Sequence, residues 1–421
     1  LSLLLAAGCA SLPWSRPGAD LQSSSGKPAA ISLGEPILLA GPRSRLLQAV
    51  VDAQQAVHVL LWSQPEDRLR HRVVSDGQLR EAEPVPAAPS SAERLDAVVD
   101  AGGVLHVIVD NRLFTLGAAG WEELENPGCR RFVRGAPNVA CLFELSAPDP
   151  RNRKRWDWFG FGGLGAGIVW PWPSLVTKFG IAEHTASGWL ERGIVDRASN
   201  LSLAYADAVA SRDGDIEVVY RRRRFMLAED SQLRYERFNA PGHPAAPLPA
   251  QRIAPRGAGD ASWSLLGITL EELVSLTART APEPFWSNPR IAADPRGRES
   301  LVLASDNAGG IWVRRIVGGL PEPARLLLDG KGHRRLTGVA TLENGRVIVL
   351  VEETRVGWWS PPPQPLGLME YRDGQWSAPI AVGATATLDS SSLLAIGSDS
   401  VGVFGVDQEG RPWLRRIRLL D

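Results

Sequence analysis

An all-β fold is predicted by three features of the chain: short apolar segments separated by Gly, Asp and Asn turns, scarce helical periodicity, and a unit that recurs along the sequence. The unit is clearest where one apolar run ends in a turn and a second opens on Val, Ile or Leu. Residues 47–52 followed by 57–62, and 95–100 followed by 104–109, are copies of one pattern. The form persists at 201–209 with 216–220, 291–294 with 300–304, 339–342 with 347–351, and 393–397 with 401–406. A weaker unit runs through Phe132 and 139–143, which makes seven.

A second marker recurs downstream, a Gly turn followed at once by an aromatic or apolar residue. Examples are Gly77-Gln-Leu79, Gly120-Trp121, Gly188-Trp189, Gly310-Ile-Trp312, Gly374-Gln-Trp376 and Gly410-Arg-Pro-Trp413. Glycine supplies the positive φ of a hairpin turn and the ring then covers the neighbouring sheet, which assigns most of the 15 tryptophans to repeat packing. Small sheets repeated at this length indicate a β-propeller of seven blades, with six or eight as alternatives because the third unit is heavily interrupted. Residues 393–420 have room for only three strands, whereas 31–39 form a lone strand. The two are expected to complete one blade and close the ring.

The chain has 421 residues, 44% hydrophobic and 22% charged, enough to bury a full core. Lys+Arg 46 against Asp+Glu 47 gives a net charge of −1, which offers no basis for binding nucleic acid. No apolar run approaches the ~20 residues of a membrane-spanning helix. The expected organisation is a signal remnant at 1–9, a Ser/Gly/Pro-rich tether at 10–30, and one propeller over 31–421 with insertions at about 149–180 and 241–284. A short helix is expected around 270–277, and an extended Pro-rich loop at 358–365.

Leu5-Ala6-Ala7-Gly8-Cys9, followed by Ala10-Ser11, resembles the lipobox of bacterial lipoprotein signal peptides. The resemblance implies that Cys9 carries the lipid and that the protein is anchored in the bacterial cell envelope. Ala10 after the cysteine then favours the outer membrane, facing the periplasm or the cell surface. Cys129 and Cys141 flank a Gly135-Ala136-Pro137-Asn138 turn, so an oxidising compartment would allow a disulfide across the hairpin, two buried thiols being the alternative. Neither the six histidines nor the cysteines are grouped at ligand spacing, and no metal or cofactor is expected.

Ser305-Asp-Asn307-Ala-Gly309-Gly-Ile311-Trp312 resembles the Asp-box of the sialidase and BNR-repeat superfamily, with Asn307 and Ile311 replacing Asp and Thr. The resemblance supports the architecture, because in that superfamily the box is a hairpin staple remote from the active site. A sialidase-like hydrolase would need an arginine cluster, a tyrosine activated by a glutamate, and an acid. Tyr220 with Glu217 and the run Arg221-Arg-Arg-Arg224 is the most enzyme-like neighbourhood, and Tyr371 with Glu370 is another. Alternate residues of a strand face opposite ways, so that run cannot converge on one ligand and is expected on an outer strand or exposed hairpin. There is no complete catalytic constellation, nucleophile elbow, P-loop or His-Glu-x-x-His.

Periodicity breaks after Asp149. Arg151, Arg153, Lys154 and Arg155 lead into a Gly-rich, nearly uncharged stretch that carries Trp156, Trp158, Phe159, Phe161, Trp170 and Trp172. This segment is expected to be a loop inserted in the third blade, serving as a cap on the ring, a lipid-interface element, or a docking surface for a membrane-bound partner. The expected function is a lipid-anchored propeller that binds or scaffolds a macromolecular partner, as an accessory subunit of an outer-membrane-associated complex, with no catalysis required. The alternative is an exported glycan-binding protein or divergent sialidase-like hydrolase.

Overall fold

The computed structural model describes residues 29–64, 66–87, 95–148, 157–159, 168–170, 175–199, 206–211, 214–224, 227–238, 251–252, 264–265, 268–269, 287–294, 297, 299–305, 310–329, 334–353, 364–386 and 392–420. Its strands form seven antiparallel sheets of four or five strands, the blades, each beginning at the ring axis, and two small two-stranded hairpins. Blade one holds Ser44–Val51, Val57–Ser63, Arg68–Ser75 and Gln78–Glu81; blade two holds Leu95–Val99, Leu105–Val109, Arg112–Gly117 and Gly120–Leu124. Blade three consists of Cys129–Phe132, Ala140–Pro148, Leu175–Thr185 and Gly188–Ser199, and blade four of Ala206–Ala210, Ile216–Arg224, Leu227–Phe238 and Gln251–Arg252. In blade five, Ser287–Ala293, Glu299–Ser305 and Ile311–Val317 are bordered by Leu320–Pro321 and Arg325–Leu328; in blade six, Arg334–Thr341, Val347–Glu353 and Gln364–Arg372 are bordered by Gln375–Trp376 and Ile380–Thr385.

Blade seven takes Ser392–Ile396, Ser400–Val406 and Pro412–Leu419 from the end of the chain and Ile31–Leu38 from its beginning. Their register runs from Ile31 opposite Leu419 to Leu38 opposite Trp413. The ring is therefore closed by hydrogen bonds between the two ends of the described chain.

Seven apolar clusters fill the seven gaps between successive blades. The period of two along each strand explains how one strand feeds two gaps. Val57, Val59 and Leu61 pack against blade seven, whereas Leu60, between them, packs against blade two. Second strands are consequently apolar on both faces, and every residue of Leu105–Val109 and Ser400–Val406 is buried.

The first and second strands are joined by a repeated tight turn. In blade one the Asp52 N–H donates to the Ala56 carbonyl at 3.0 Å and the Gln55 N–H returns to the Asp52 carbonyl at 3.0 Å. The same exchange recurs between Asp100 and Val104, Ser211 and Asp215, Asp294 and Glu299, and Leu342 and Arg346. Asp52 and Asp100 reinforce their turns by accepting from the Ala56 and Val104 N–H groups. The fourth position is left-handed, which Gly103 adopts freely at φ 81° and Gln55 adopts at φ 63°.

These turns mark one end of the ring. Gly397, in the corresponding turn of blade seven, lies against the Gln55 side chain of blade one. Ala30 accepts from the Leu420 N–H, next to Leu419, whose N–H donates to Asp399 in that turn, so the chain preceding Ile31 departs from this end. The second and third strands of blade three pair out to Pro148 opposite Leu175, at the opposite end. Residues 149–174 and 354–363 interrupt the ring on that opposite side, between the second and third strands of blades three and six, whereas 239–286 lead from Phe238, opposite Ile216 at the turn end, to Ser287 at the other end.

The break in blade three is shorter than expected. Residues 175–180 belong to its third strand, where Phe179 and Ile181 fill the gap to blade four. Asp157–Phe159 pairs with Ile168–Trp170 as a small hairpin, and Ser264–Leu265 pairs with Ile268–Thr269. The helix expected around 270–277 lies outside the described residues. Among the described residues, no helix is long and apolar enough to cross a membrane.

Candidate functional site

A ring of polar side chains occupies the innermost strands, four residues ahead of the turn. Gln48, Asp96, Asp207 and Arg290 each stand four before Asp52, Asp100, Ser211 and Asp294, and Arg131 takes the equivalent place in blade three. Gln48, Asp96, Arg131 and Asp207 each reach toward the next blade, whereas the charged neighbours of Arg290 are Asp207, Arg131, Arg134 and Asp96. Gln48 Nε2 donates to Asp96 Oδ1 at 2.9 Å, and Asp96 Oδ2 accepts from the Phe132 N–H at 2.7 Å. Arg131 donates to the Ala206 carbonyl, and Asp207 Oδ2 accepts from the Ile291 N–H at 3.0 Å. These bonds satisfy inner-strand backbone groups that have no partner strand on the axial side.

Arg134 spans the axis. Its backbone exchanges hydrogen bonds with Ala208 and Ala210 of blade four. One guanidinium nitrogen then donates to Asp207 Oδ2 at 2.6 Å and to the Ile291 carbonyl of blade five at 2.7 Å, while the other reaches the Val339 carbonyl of blade six at 3.4 Å. One side chain links four blades and remains 43% exposed. Burial raises the Asp96 carboxyl above its ordinary range. Arg290 is depressed to about 10, first by burial and then by the positive neighbours Arg131 and Arg134.

The enzyme-like neighbourhood does not assemble. Tyr220 and Glu217 are three residues apart on one strand and therefore face opposite gaps. Tyr220, 1% exposed, donates to Asp196 Oδ2 at 3.2 Å and lies 3.5 Å from Glu236, with its ring edge-on to Phe179 in the gap toward blade three. Burial and the charges of Glu236 and Asp196 raise its hydroxyl pKa, the reverse of an activated nucleophile. Glu236 itself is raised to about 7 by burial and by Asp196. Glu217 faces blade five, where Ser300 and Tyr235 lie beside it and Arg237 is 4.0 Å away. Arg221–Arg224 end the second strand of blade four at a hairpin, with Arg224 opposite Leu227, rather than forming an outer strand. Tyr371 bonds Glu299 at 3.1 Å, and its neighbour Glu370 bonds Arg346 instead, again on the opposite face.

The sulfur atoms of Cys129 and Cys141 form a disulfide between the first and second strands of blade three, directly beside Arg131. Two tryptophans at the Gly markers repeat one contact. Trp121 Nε1 donates to the Glu83 carbonyl and Trp189 Nε1 to the Glu125 carbonyl, both at 3.0 Å, each tying an outer strand to the connection leaving the previous blade. Of the aromatic and basic segment, Trp158, Phe159 and Trp170 lie on the small hairpin strands. Arg151, Arg153, Lys154, Arg155, Trp156, Phe161 and Trp172 lie outside the described residues, as does Cys9. Among the described residues, no group of three or more His, Cys, Asp or Glu is arranged to hold a metal ion.

The axial residues were not singled out from the sequence, although a signal for them exists. Gln-Ala-Val-Val-Asp52, Asp-Ala-Val-Val-Asp100, Asp-Ala-Val-Ala-Ser211 and Arg-Ile-Ala-Ala-Asp294 align with one polar residue at one position of an apolar repeat.

No family model and no curated protein matches the chain. Solved structures similar to it include a protein of unknown function from Dyadobacter fermentans, 10% identical, covering 93% of this chain and 99% of that one with a TM-score of 0.49. A lectin from Burkholderia pseudomallei is 11% identical, with coverages of 90% and 96% and a TM-score of 0.48. A GH93 α-L-arabinofuranosidase of Fusarium graminearum is 9% identical, with coverages of 92% and 98% and a TM-score of 0.41. The architecture rests on the sheet pairing described above: the chain is a seven-bladed β-propeller.

Proposed function

We propose that this protein is a lipid-anchored propeller of the bacterial envelope that holds a macromolecular partner on one end of the ring and performs no catalysis. The observation that carries this reading is the opposition of the two ends. The chain leading back to Cys9 leaves the ring beside Ala30 and Asp399, whereas 149–174 and 354–363 interrupt it on the other side. Anchoring through the first end leaves the second turned outward, with the Trp-rich segment positioned for a partner rather than for the same lipid surface. The disulfide supports an oxidising compartment. The sequestration of Tyr220 and Glu217 in different gaps argues against the hydrolase alternative.

Purification from membranes in mild detergent tests the proposal. The intact protein should recover a stoichiometric companion, deletion of 156–173 should lose it without unfolding the ring, and Cys9→Ser should move the protein to the soluble envelope fraction. Recovery of the protein alone, or aryl-glycoside hydrolysis abolished by Tyr220→Phe, would overturn it.

A further inference from the structure

We propose that a chloride-sized anion is held on the ring axis among Arg131, Arg134 and Arg290. Three guanidiniums from blades three and five meet two carboxylates, Asp96 and Asp207, and the carboxylates are already engaged. Asp96 spends one oxygen on Gln48 and the other on the Phe132 N–H. Asp207 Oδ2 accepts from both the Ile291 N–H and Arg134. Arg131 turns to the Ala206 carbonyl and Arg134 to the carbonyls of Ile291 and Val339. Arg290, whose charged neighbours are Asp207, Arg131, Arg134 and Asp96, keeps a buried Nε–H without a hydrogen-bond partner.

A buried donor on a charged group is costly when unmet, and three guanidiniums against two carboxylates leave a positive excess at the site. One monovalent anion would answer both. Burial also favours the protonated form of Asp96, which leaves the positive excess larger. The site is narrow, because the Arg134 side chain alone crosses from blade three to blades five and six. That span suits a monatomic ion and leaves little room for a sugar or a peptide. The exposed face of Arg134 provides a route from solvent.

Thermal unfolding in sodium chloride and in sodium gluconate of equal ionic strength separates specific binding from screening. The midpoint should rise by about 2–4 °C in chloride and saturate, and Arg290→Met should abolish the difference. Identical midpoints for the wild-type protein in the two salts would overturn the proposal. A bromide-soaked crystal gives a readout that does not depend on the variant folding. An anomalous peak within contact distance of Arg290 Nε is expected, and a bromide-bearing crystal without a peak at the axis would count decisively against the site.

Discussion

The gap between blades one and two and the gap between blades three and four are built on the same plan, yet they bury ionisable groups of opposite charge type. In the first, a hydrogen bond of 3.0 Å joins His71 Nε2 and His58 Nδ1, and His71 meets the edge of Trp121; burial, then the charge of His58, lowers it to about 4. In the second, burial and Asp196 raise Glu236 to about 7. Apolar blade packing favours the neutral form in both places, so the two gaps answer pH in opposite directions. The lesson is that a ring of equivalent interfaces conceals linkage when its members cancel.

The largest effect that would sharpen this contrast lies at the axis, where charges are tied to backbone groups rather than to one another. Asp207→Ala should destabilise the ring by about 3–5 kcal/mol, because it strands the Ile291 N–H and leaves Arg134 and Arg290 uncompensated. Chemical denaturation checks this; a loss below about 1 kcal/mol would show that the axial bonds contribute little. Next in size is the disulfide between residues 12 apart. Cys129→Ser with Cys141→Ser should cost about 2–4 kcal/mol, visible as a reductant-sensitive midpoint in the parent and its absence in the variant.

The two gaps themselves come next, each worth about 2 kcal/mol after allowance for solvent screening. A histidine lowered from 6.5 to about 4 contributes stability that is complete above 6.5 and is lost as pH falls toward 4. A carboxyl raised from 4.5 to about 7 contributes stability present below 4.5 and lost as pH rises toward 7. Glu236→Gln should therefore expose a stability that climbs with pH between 4 and 6.5, and His71→Gln one that declines between 4.5 and 7. Denaturant midpoints measured across that range decide the matter, and slopes of equal sign in the two variants would break the comparison.

All seven units, the shared closing blade and the packing role of Trp121 and Trp189 were legible because strand periodicity and Gly turns are local signals. The bond between Cys129 and Cys141 could be stated only as one of two outcomes, since spacing alone does not set Cβ directions. Pairing Tyr220 with Glu217 failed for a physical reason: proximity in sequence is separation in space when strand faces alternate. The axial ring escaped notice because a single Asp or Arg inside an apolar run reads as an exposed position. Only the closure of the ring turns that position toward neighbouring backbones. Residues 175–180 looked irregular for a related reason, as the Gly-rich segment before them obscured the start of a strand whose partner, Ala140–Pro148, is distant in sequence.

Site-specific photocrosslinking in envelope membranes tests the opposed-ends account most directly, with a photoreactive residue placed at exposed Glu66, between the second and third strands of blade one, or at exposed Gln54, in the turn at the other end. Adducts to a protein partner from position 66 and none from position 54 are the predicted result. Partner adducts from position 54 alone, or equally from both, would contradict it.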